Sequence, residues 1–176
     1  IEPDPTAAKF EFKSQIEQTA LPRPFMAAIE SGARSEAISG LGLGYSVIRV
    51  RVVLEDATAI DGESNDTAFS VAAEDAFEAA MQAGGVQLLE PIMQFEIRTP
   101  SEYMKNVIGD LNTRRSEVSE LIADEEPVLL RGKMPLSETF GYSTQIRSLS
   151  QGRASFAMEP SDYAVVPPEV SKRLLI

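Results

Sequence analysis

Hydrophobic and polar residues follow two periods along the first half of the chain, and each period is typical of a different element. Apolar residues at alternate positions predict strands over residues 9–16 and 45–54. Apolar residues three and four positions apart predict helices over residues 22–39 and 65–83, and glycines follow both of them. The second helix begins after Ser64 or Asn65, either of which is a suitable N-cap.

The second half of the chain predicts the element order β-α-β-β-α-β. The elements are a strand over 90–98, a helix over 100–115 capped by Thr99, strands over 117–123 and 127–134, a helix over 135–150, a strand over 154–159 and a short terminal helix. This order is typical of a ferredoxin-like α+β sandwich. We therefore expect two small domains, residues 1–87 and residues 88–176 with a C-terminal tail, whose cores unfold separately.

Composition narrows the chemistry that the chain can perform. The 176 residues include no Cys and no His, which excludes disulfides, thiol nucleophiles, Ser-His-Asp triads and His-ligated zinc. No catalytic constellation is visible, and whether the protein is an enzyme stays open. No apolar run reaches the length of about 20 residues that spans a bilayer. The lack of Cys suits a reducing compartment, so we expect a cytoplasmic protein without a membrane partner.

Charge is distributed unevenly along the chain, whose formal net charge is −11. No Lys or Arg occurs from Val52 to Ile97, although this segment contains ten acidic residues. A domain that binds nucleic acid by itself usually carries a basic surface, which the chain as a whole does not have.

Two short motifs resemble ligand-binding loops but fail on position. Residues 61–66 begin like a calcium loop, but Asp66 stands at the sixth position instead of Gly and Ala72 at the twelfth instead of Glu. The glycines of residues 40–44 follow a helix and precede a strand, which is the reverse of the order in a dinucleotide-binding loop. The chain contains no P-loop, so we expect no GTP binding by this chain.

Arginines cluster at the helix ends of the second half. Arg114 and Arg115 end the first of its helices, and Arg147 and Arg153 bracket the second. Such residues either compensate a helix dipole or contact phosphate, and the sequence leaves both alternatives open.

The chain resembles the last two domains of translation elongation factor G. In the second half the matching segments are Leu89–Met93, Thr99–Met104, Val107–Arg115, Met134–Leu136, Phe140–Thr144, Arg147–Ser148, Gln151–Arg153 and Ser155–Phe156, in family order and spacing. In the first half they are Leu21–Gly32 and Gly44–Phe69. The resemblance implies a first domain with the ribosomal protein S5 domain 2-like fold, truncated at its start, and a ferredoxin-like second domain.

The resemblance also implies functional residues and partners. It places a tip loop towards the decoding region of the ribosome, formed by Thr58, Ala59, Ile60, Asp61, Gly62, Glu63, Ser64 and Asn65. It makes Arg114, Arg115, Arg147, Gln151 and Arg153 candidate contacts to ribosomal RNA or to other domains of the parent protein. The expected partners are rRNA, the tRNA–mRNA complex and those other domains, while GTP and magnesium belong to an N-terminal domain absent from this chain.

Some positions depart from the family pattern. Ile60 stands where family members carry a tip-loop His, Ser116 and Ala154 each replace a Gly after an Arg, and Asp162 replaces a His. These departures favour a divergent, non-translocating paralogue, for example one acting in ribosome recycling, as the alternative to a translocase. A free-standing protein-interaction module is the alternative from a different class.

Overall fold

The computed structural model describes residues 1–6, 10–17 and 20–174, and it divides the chain into two compact units, Ile1–Val86 and Gln87–Ile176. Both units combine one small sheet with helices, which confirms the predicted α+β class. Residue 9, the first of the predicted strand 9–16, lies outside the described residues. Separate unfolding of the two units stays a prediction, which calorimetry can measure.

Unit 1 contains a three-stranded sheet and two helices. Its elements are β1 (Glu2–Pro3), β2 (Glu11–Ser14), α1 (Arg23–Ser39), β3 (Val50–Leu54) and α2 (Asp66–Gly84). The sheet order is β1-β3-β2, with β2 parallel and β1 antiparallel to β3. The core lies where the small residues Ala33 and Ala37 of α1 meet Phe77 of α2, with Val52 of β3 packed against them.

The strand predicted over 45–54 is wrong in its first half. Only Val50–Leu54 is a strand, because the backbone before it turns through positive φ angles of 76° at Gly44 and 61° at Arg49. A residue at positive φ cannot continue an extended strand. The structure also adds β1, which the sequence pattern did not predict.

Unit 2 has the predicted ferredoxin-like topology. Its elements are β4 (Leu89–Thr99), α3 (Ser101–Asn112), β5 (Glu117–Ile122), β6 (Val128–Pro135), α4 (Tyr142–Leu149), β7 (Ser155–Val165) and α5 (Pro168–Leu174). The sheet order is β5-β6-β4-β7 with every neighbouring pair antiparallel. Both α3 and α4 contribute to one buried core with the central strands, through Phe95, Ile97, Val107, Leu111, Leu130, Met134, Tyr142 and Ile146.

Three predicted boundaries in unit 2 are wrong. The helix expected over 135–150 is a 3-10 turn, Leu136–Thr139, followed by α4, because Gly141 has a φ of 71° and interrupts the helix. Strand β7 continues to Val165, six residues beyond its predicted end. Helix α3 ends at Asn112, so Arg114 and Arg115 lie in the turn that follows it.

The predicted N-cap of α3 is also wrong. Thr99 is the last, fully buried residue of β4, and Pro100 occupies the N-cap position without a side-chain hydrogen bond. The carboxylate of Glu126, in the β5–β6 turn, accepts from the Ser101 N–H instead, at 3.1 and 3.3 Å from its two oxygens. A carboxylate at this position satisfies a free N–H and interacts favourably with the helix dipole.

Candidate functional site

The loop between β3 and α2, which contains the predicted tip residues, is organised around Ile60. The Ile60 N–H donates to Ser64 Oγ at 2.8 Å, and the Ile60 carbonyl accepts from the N–H groups of Glu63 and Ser64 at 3.1 and 3.0 Å. Gly62 has a φ of 76°, which closes the turn. Asn65, one of the two predicted caps, is the N-cap of α2 and accepts from the Ala68 N–H at 2.9 Å. The loop is therefore a hydrogen-bonded turn fixed to the start of a helix.

The surface that this loop presents combines an apolar side chain with acids. Ile60 is 59% exposed, and Asp61 and Glu63 beside it are exposed as well. The region can present an apolar contact and hydrogen-bond acceptors to a partner, but it offers no cation to a phosphate.

Arg114 is held inside unit 2 by three contacts. Its Nε donates to Asp110 Oδ2 at 2.7 Å, its Nη1 donates to the Glu138 carbonyl at 2.9 Å, and its guanidinium lies 4.8 Å from the centre of the Tyr142 ring. The side chain is 20% exposed. Arg114 thus ties the end of α3 to the 3-10 turn and to the start of α4.

Arg115 is neutralised by two carboxylates from distant parts of unit 2. Its Nη1 and Nη2 bind the two oxygens of Glu90 at 2.6 and 3.0 Å, and its Nε donates to Glu138 Oε1 at 2.9 Å. Nη2 also donates to Ser137 Oγ at 3.0 Å. The hydrogen bonds to Glu90, followed by that to Glu138, raise the pKa of Arg115 above its ordinary value.

Arg153 joins the turn after α4 to the start of α3. Its Nη2 donates to Glu102 Oε1 at 2.5 Å and to the hydroxyl of Tyr103, and its guanidinium lies 4.7 Å from the centre of the Tyr103 ring. Half of the Arg153 side chain remains exposed. Solvent screens an ion pair that is this exposed, so the guanidinium can exchange its partner for another anion at little cost.

Arg147 and Gln151 differ from the other three candidates. Both are exposed, and neither side chain has a hydrogen-bond or ion-pair partner in the described part of unit 2. Arg147 lies in the last turn of α4, where a cation interacts favourably with the helix dipole. Gln151 has a φ of 52° and lies in the turn that leads to Arg153.

The structure thus divides the five predicted contact residues by their availability. Arg114 and Arg115 hold the segment between β6 and α4, Arg153 is paired but exposed, and Arg147 and Gln151 face solvent. The sequence did not indicate the carboxylates Glu90 and Glu138, because each lies more than 20 residues from the arginine that it binds.

No group of acidic side chains within residues 1–6, 10–17 and 20–174 is arranged to hold a metal ion. No helix in the part of the chain that the structure describes has the length and apolar character needed to cross a membrane.

These features define the chain as a two-domain α+β module, with a hydrogen-bonded, exposed loop in the first domain and a ferredoxin-like second domain whose helix ends carry arginines. Two family models match it in succession, "Elongation factor G, domain IV" over residues 1–85 and "Elongation factor G C-terminus" over residues 87–174. The chain therefore belongs to the elongation factor G family.

Individual relatives agree with this assignment. The chain is 43% identical over 173 residues to elongation factor G of Thermotoga petrophila and 40% identical over 175 residues to that of Dehalococcoides mccartyi. These alignments cover 98% and 99% of the chain but 25% of each relative, so the chain spans about a quarter of their length. A crystal structure of a Thermus thermophilus protein superimposes with a TM-score of 0.87 at 28% identity, covering 99% of this chain and 26% of that one.

Proposed function

We propose that this chain is the ribosome-engaging, C-terminal part of a translational GTPase of the elongation factor G type, acting in the translocation of tRNA and mRNA. The observation that carries the proposal is the unbroken succession of domain IV and C-terminal matches over residues 1–85 and 87–174. Since the relatives are about four times as long, GTP and magnesium would be bound by other domains of the parent. The place of action would be the cytoplasm, where ribosomes translate.

In this proposal the loop of residues 58–65 meets the tRNA–mRNA complex at the decoding region. Its internal hydrogen bonds and its attachment to α2 through Asn65 support the assignment, because a loop with a preformed shape loses less conformational entropy on binding. Ile60 would contribute apolar contact there, and the backbone of the loop would contribute hydrogen bonds. The acids of the loop repel phosphate, so affinity would come from other parts of the factor.

The arginines of unit 2 take two roles in the proposal. Arg147 and Gln151, which face solvent, and Arg153, whose ion pair is exposed, would contact ribosomal RNA. Arg114 and Arg115 would act indirectly, by holding the segment between β6 and α4 in place or by contacting a neighbouring domain of the parent. Either role for Arg115 must preserve its bidentate pair with Glu90 or replace it with another anion.

A chimera tests the proposal directly. The matched quarter of Thermotoga petrophila elongation factor G would be replaced by this chain, and the chimera would serve as the sole translocase in poly(Phe) synthesis on purified ribosomes. The native relative and a version lacking the quarter provide the two controls. We expect GTP-dependent synthesis well above the truncated control.

The other outcomes reject translocation and select between the alternatives. Splitting of post-termination ribosomes without peptide synthesis would assign the chain to the recycling paralogue. Failure of both activities, with no ribosome binding by the chimera, would favour the protein-interaction module.

A further inference from the structure

The peptide bond between Asp61 and Gly62, in the loop between β3 and α2, combines a reactive sequence with an open environment. It is the only Asp-Gly or Asn-Gly bond in the sequence. Both residues are exposed, and apart from its chain neighbours no described heavy atom lies within 4 Å of the position that a Cβ on Gly62 would occupy. Water and the Asp61 side chain can therefore approach this peptide bond without hindrance.

The hydrogen bonds of this loop hold its base and leave the Asp61–Gly62 peptide unconstrained. The Ile60 carbonyl accepts from the N–H groups of Glu63 and Ser64, and the Ile60 N–H donates to Ser64 Oγ. Among the described residues, neither the Asp61 carboxylate nor the Gly62 N–H has a hydrogen-bond partner. A carboxyl carbon and a main-chain nitrogen are thus adjacent in sequence, exposed and unengaged.

The turn geometry allows these two groups to meet. The hydrogen bond from the Glu63 N–H to the Ile60 carbonyl, with a φ of 76° at Gly62, defines a type II turn whose central peptide is Asp61–Gly62. Types I and II share this hydrogen bond and differ mainly in the orientation of the central peptide, and glycine adopts either sign of φ. The peptide can therefore rotate while the base of the loop stays intact. Rotation about ψ of Asp61 brings the Gly62 nitrogen to the Asp61 carboxyl carbon, where attack closes a five-membered ring.

We propose that Asp61 is a site of spontaneous covalent modification, at which aspartate isomerises to isoaspartate. The Gly62 nitrogen attacks Cγ of the protonated Asp61 carboxyl group, a Cγ–N bond forms, and the nitrogen's proton and the carboxyl OH leave as water. Water then adds to the main-chain carbonyl carbon of the cyclic imide and breaks its bond to the nitrogen, which regains a proton. The main chain now runs through Cβ and Cγ. The water released in the first step is consumed in the second, so the reaction needs no other reactant.

Other acidic and amide side chains of the chain lack this combination. Asp56, in the same loop, is exposed, but the Cβ of Ala57 shields the following nitrogen and restricts its φ. Asn65 Oδ1 is engaged by the Ala68 N–H, and Asp110 lies within α3 and pairs with Arg114. Asp56 is therefore the matched comparison, because it differs from Asp61 mainly in the residue that follows it.

The modification would change the shape of the loop. Isoaspartate adds one methylene group to the main chain between Ile60 and the two N–H groups that its carbonyl binds, those of Glu63 and Ser64. The turn would lose these hydrogen bonds, and amide exchange of Glu63 and Ser64 would accelerate. The isomerisation itself is independent of the proposed function; only its effect on a contact with tRNA and mRNA rests on that function.

The test is prolonged incubation of the 176-residue chain at neutral pH, followed by peptide mapping with electron-transfer fragmentation, which distinguishes isoaspartate from aspartate of equal mass. Two variants are treated in parallel. Asp61→Glu would have to close a six-membered ring, which forms far more slowly, and Asp56→Glu leaves the Asp61–Gly62 bond unchanged. Circular dichroism verifies that each protein stays folded, and hydrogen exchange follows the amides of Glu63 and Ser64.

We expect isoaspartate to accumulate at position 61 several-fold faster than at position 56, with the same rate in Asp56→Glu and none at position 61 in Asp61→Glu. Exchange of the Glu63 and Ser64 amides should accelerate in the isomerised fraction. Equal rates at positions 61 and 56 in the folded chain, or conversion at position 61 only after unfolding in urea, would overturn the inference and leave the proposed function intact.

Discussion

Replacement of Tyr142 by Phe measures how much a buried hydroxyl without a hydrogen-bond partner costs this fold. Tyr142 begins α4 and is fully buried in the core of unit 2, with its ring 4.9 Å from that of Phe156 in an edge-to-face arrangement. Its hydroxyl has no hydrogen-bond partner in the part of the chain that the structure describes. We expect Tyr142→Phe to stabilise the protein, because it removes a buried polar group and retains the ring.

The magnitude follows from two opposing contributions. A buried hydroxyl without a partner costs about 1–3 kcal/mol relative to the hydrated group in the unfolded chain. Removing it leaves a space smaller than a methyl group, which costs at most about 1 kcal/mol. The net gain is about 1 kcal/mol in the free energy of unfolding, equivalent to a rise of about 4–8 °C in the Tm of a domain of this size.

Tyr103 offers the matched control. It too is a buried tyrosine of unit 2, but its hydroxyl accepts a hydrogen bond from Arg153. Tyr103→Phe should therefore lower the free energy of unfolding by about 0.5–1.5 kcal/mol. Urea unfolding, together with hydrogen exchange of the amides of α3 and α4, reports on unit 2 specifically. If Tyr142→Phe destabilises as much as Tyr103→Phe, the Tyr142 hydroxyl has a partner in solution and the reasoning is wrong.

Four other perturbations have defined outcomes. Burial raises the pKa of Tyr142, so above about pH 10 the unfolded chain loses this proton before the folded chain does. The stability of the parent should therefore fall with rising pH more steeply than that of Tyr142→Phe, which thermal melts at alkaline pH can measure. Asn65→Ala should cost about 1 kcal/mol by removing the N-cap of α2, detectable as faster hydrogen exchange in its first turns. Gly32→Ala should destabilise unit 1 by about 1–3 kcal/mol, because the new Cβ would collide with the Ser70 carbonyl. Gly109→Ala, in open space on α3, should instead stabilise unit 2 by about 0.5–1 kcal/mol. Chemical unfolding that gave both changes the same sign would contradict this.

Periodicity predicted the elements of this chain best where side-chain chemistry marks their ends. Helix α2 lies between Asn65 and Gly85, as its cap and its glycines indicate, and the βαββαβ order of unit 2 follows from the alternation of two periods. The errors occur where backbone dihedral angles interrupt a continuous pattern. Arg49 at positive φ ends the extension of β3, although its side chain fits the alternation on both sides.

Strand β7 shows the opposite error, an element longer than its pattern. Its pairing with β4 shifts register between Ile92 and Met93, opposite the segment that contains Pro160 and Asp162. The extra residue of this bulge, Ser161, changes which side chains lie on each face of the sheet, so the alternation breaks although the strand continues. The sequence of this segment contains a proline and an interrupted alternation, both of which are typical of the end of a strand.

The candidate contact residues could be found from sequence resemblance, but their availability could not. Whether an arginine is free depends on carboxylates that the fold brings to it, such as Glu90 and Glu138 beside Arg115. Pairings across more than 20 residues have no local signature, unlike the pair of Arg114 with Asp110 four residues before it. Arg147 could be identified as free only after the absence of acids on α4 and the pairing of those on α3 were known together.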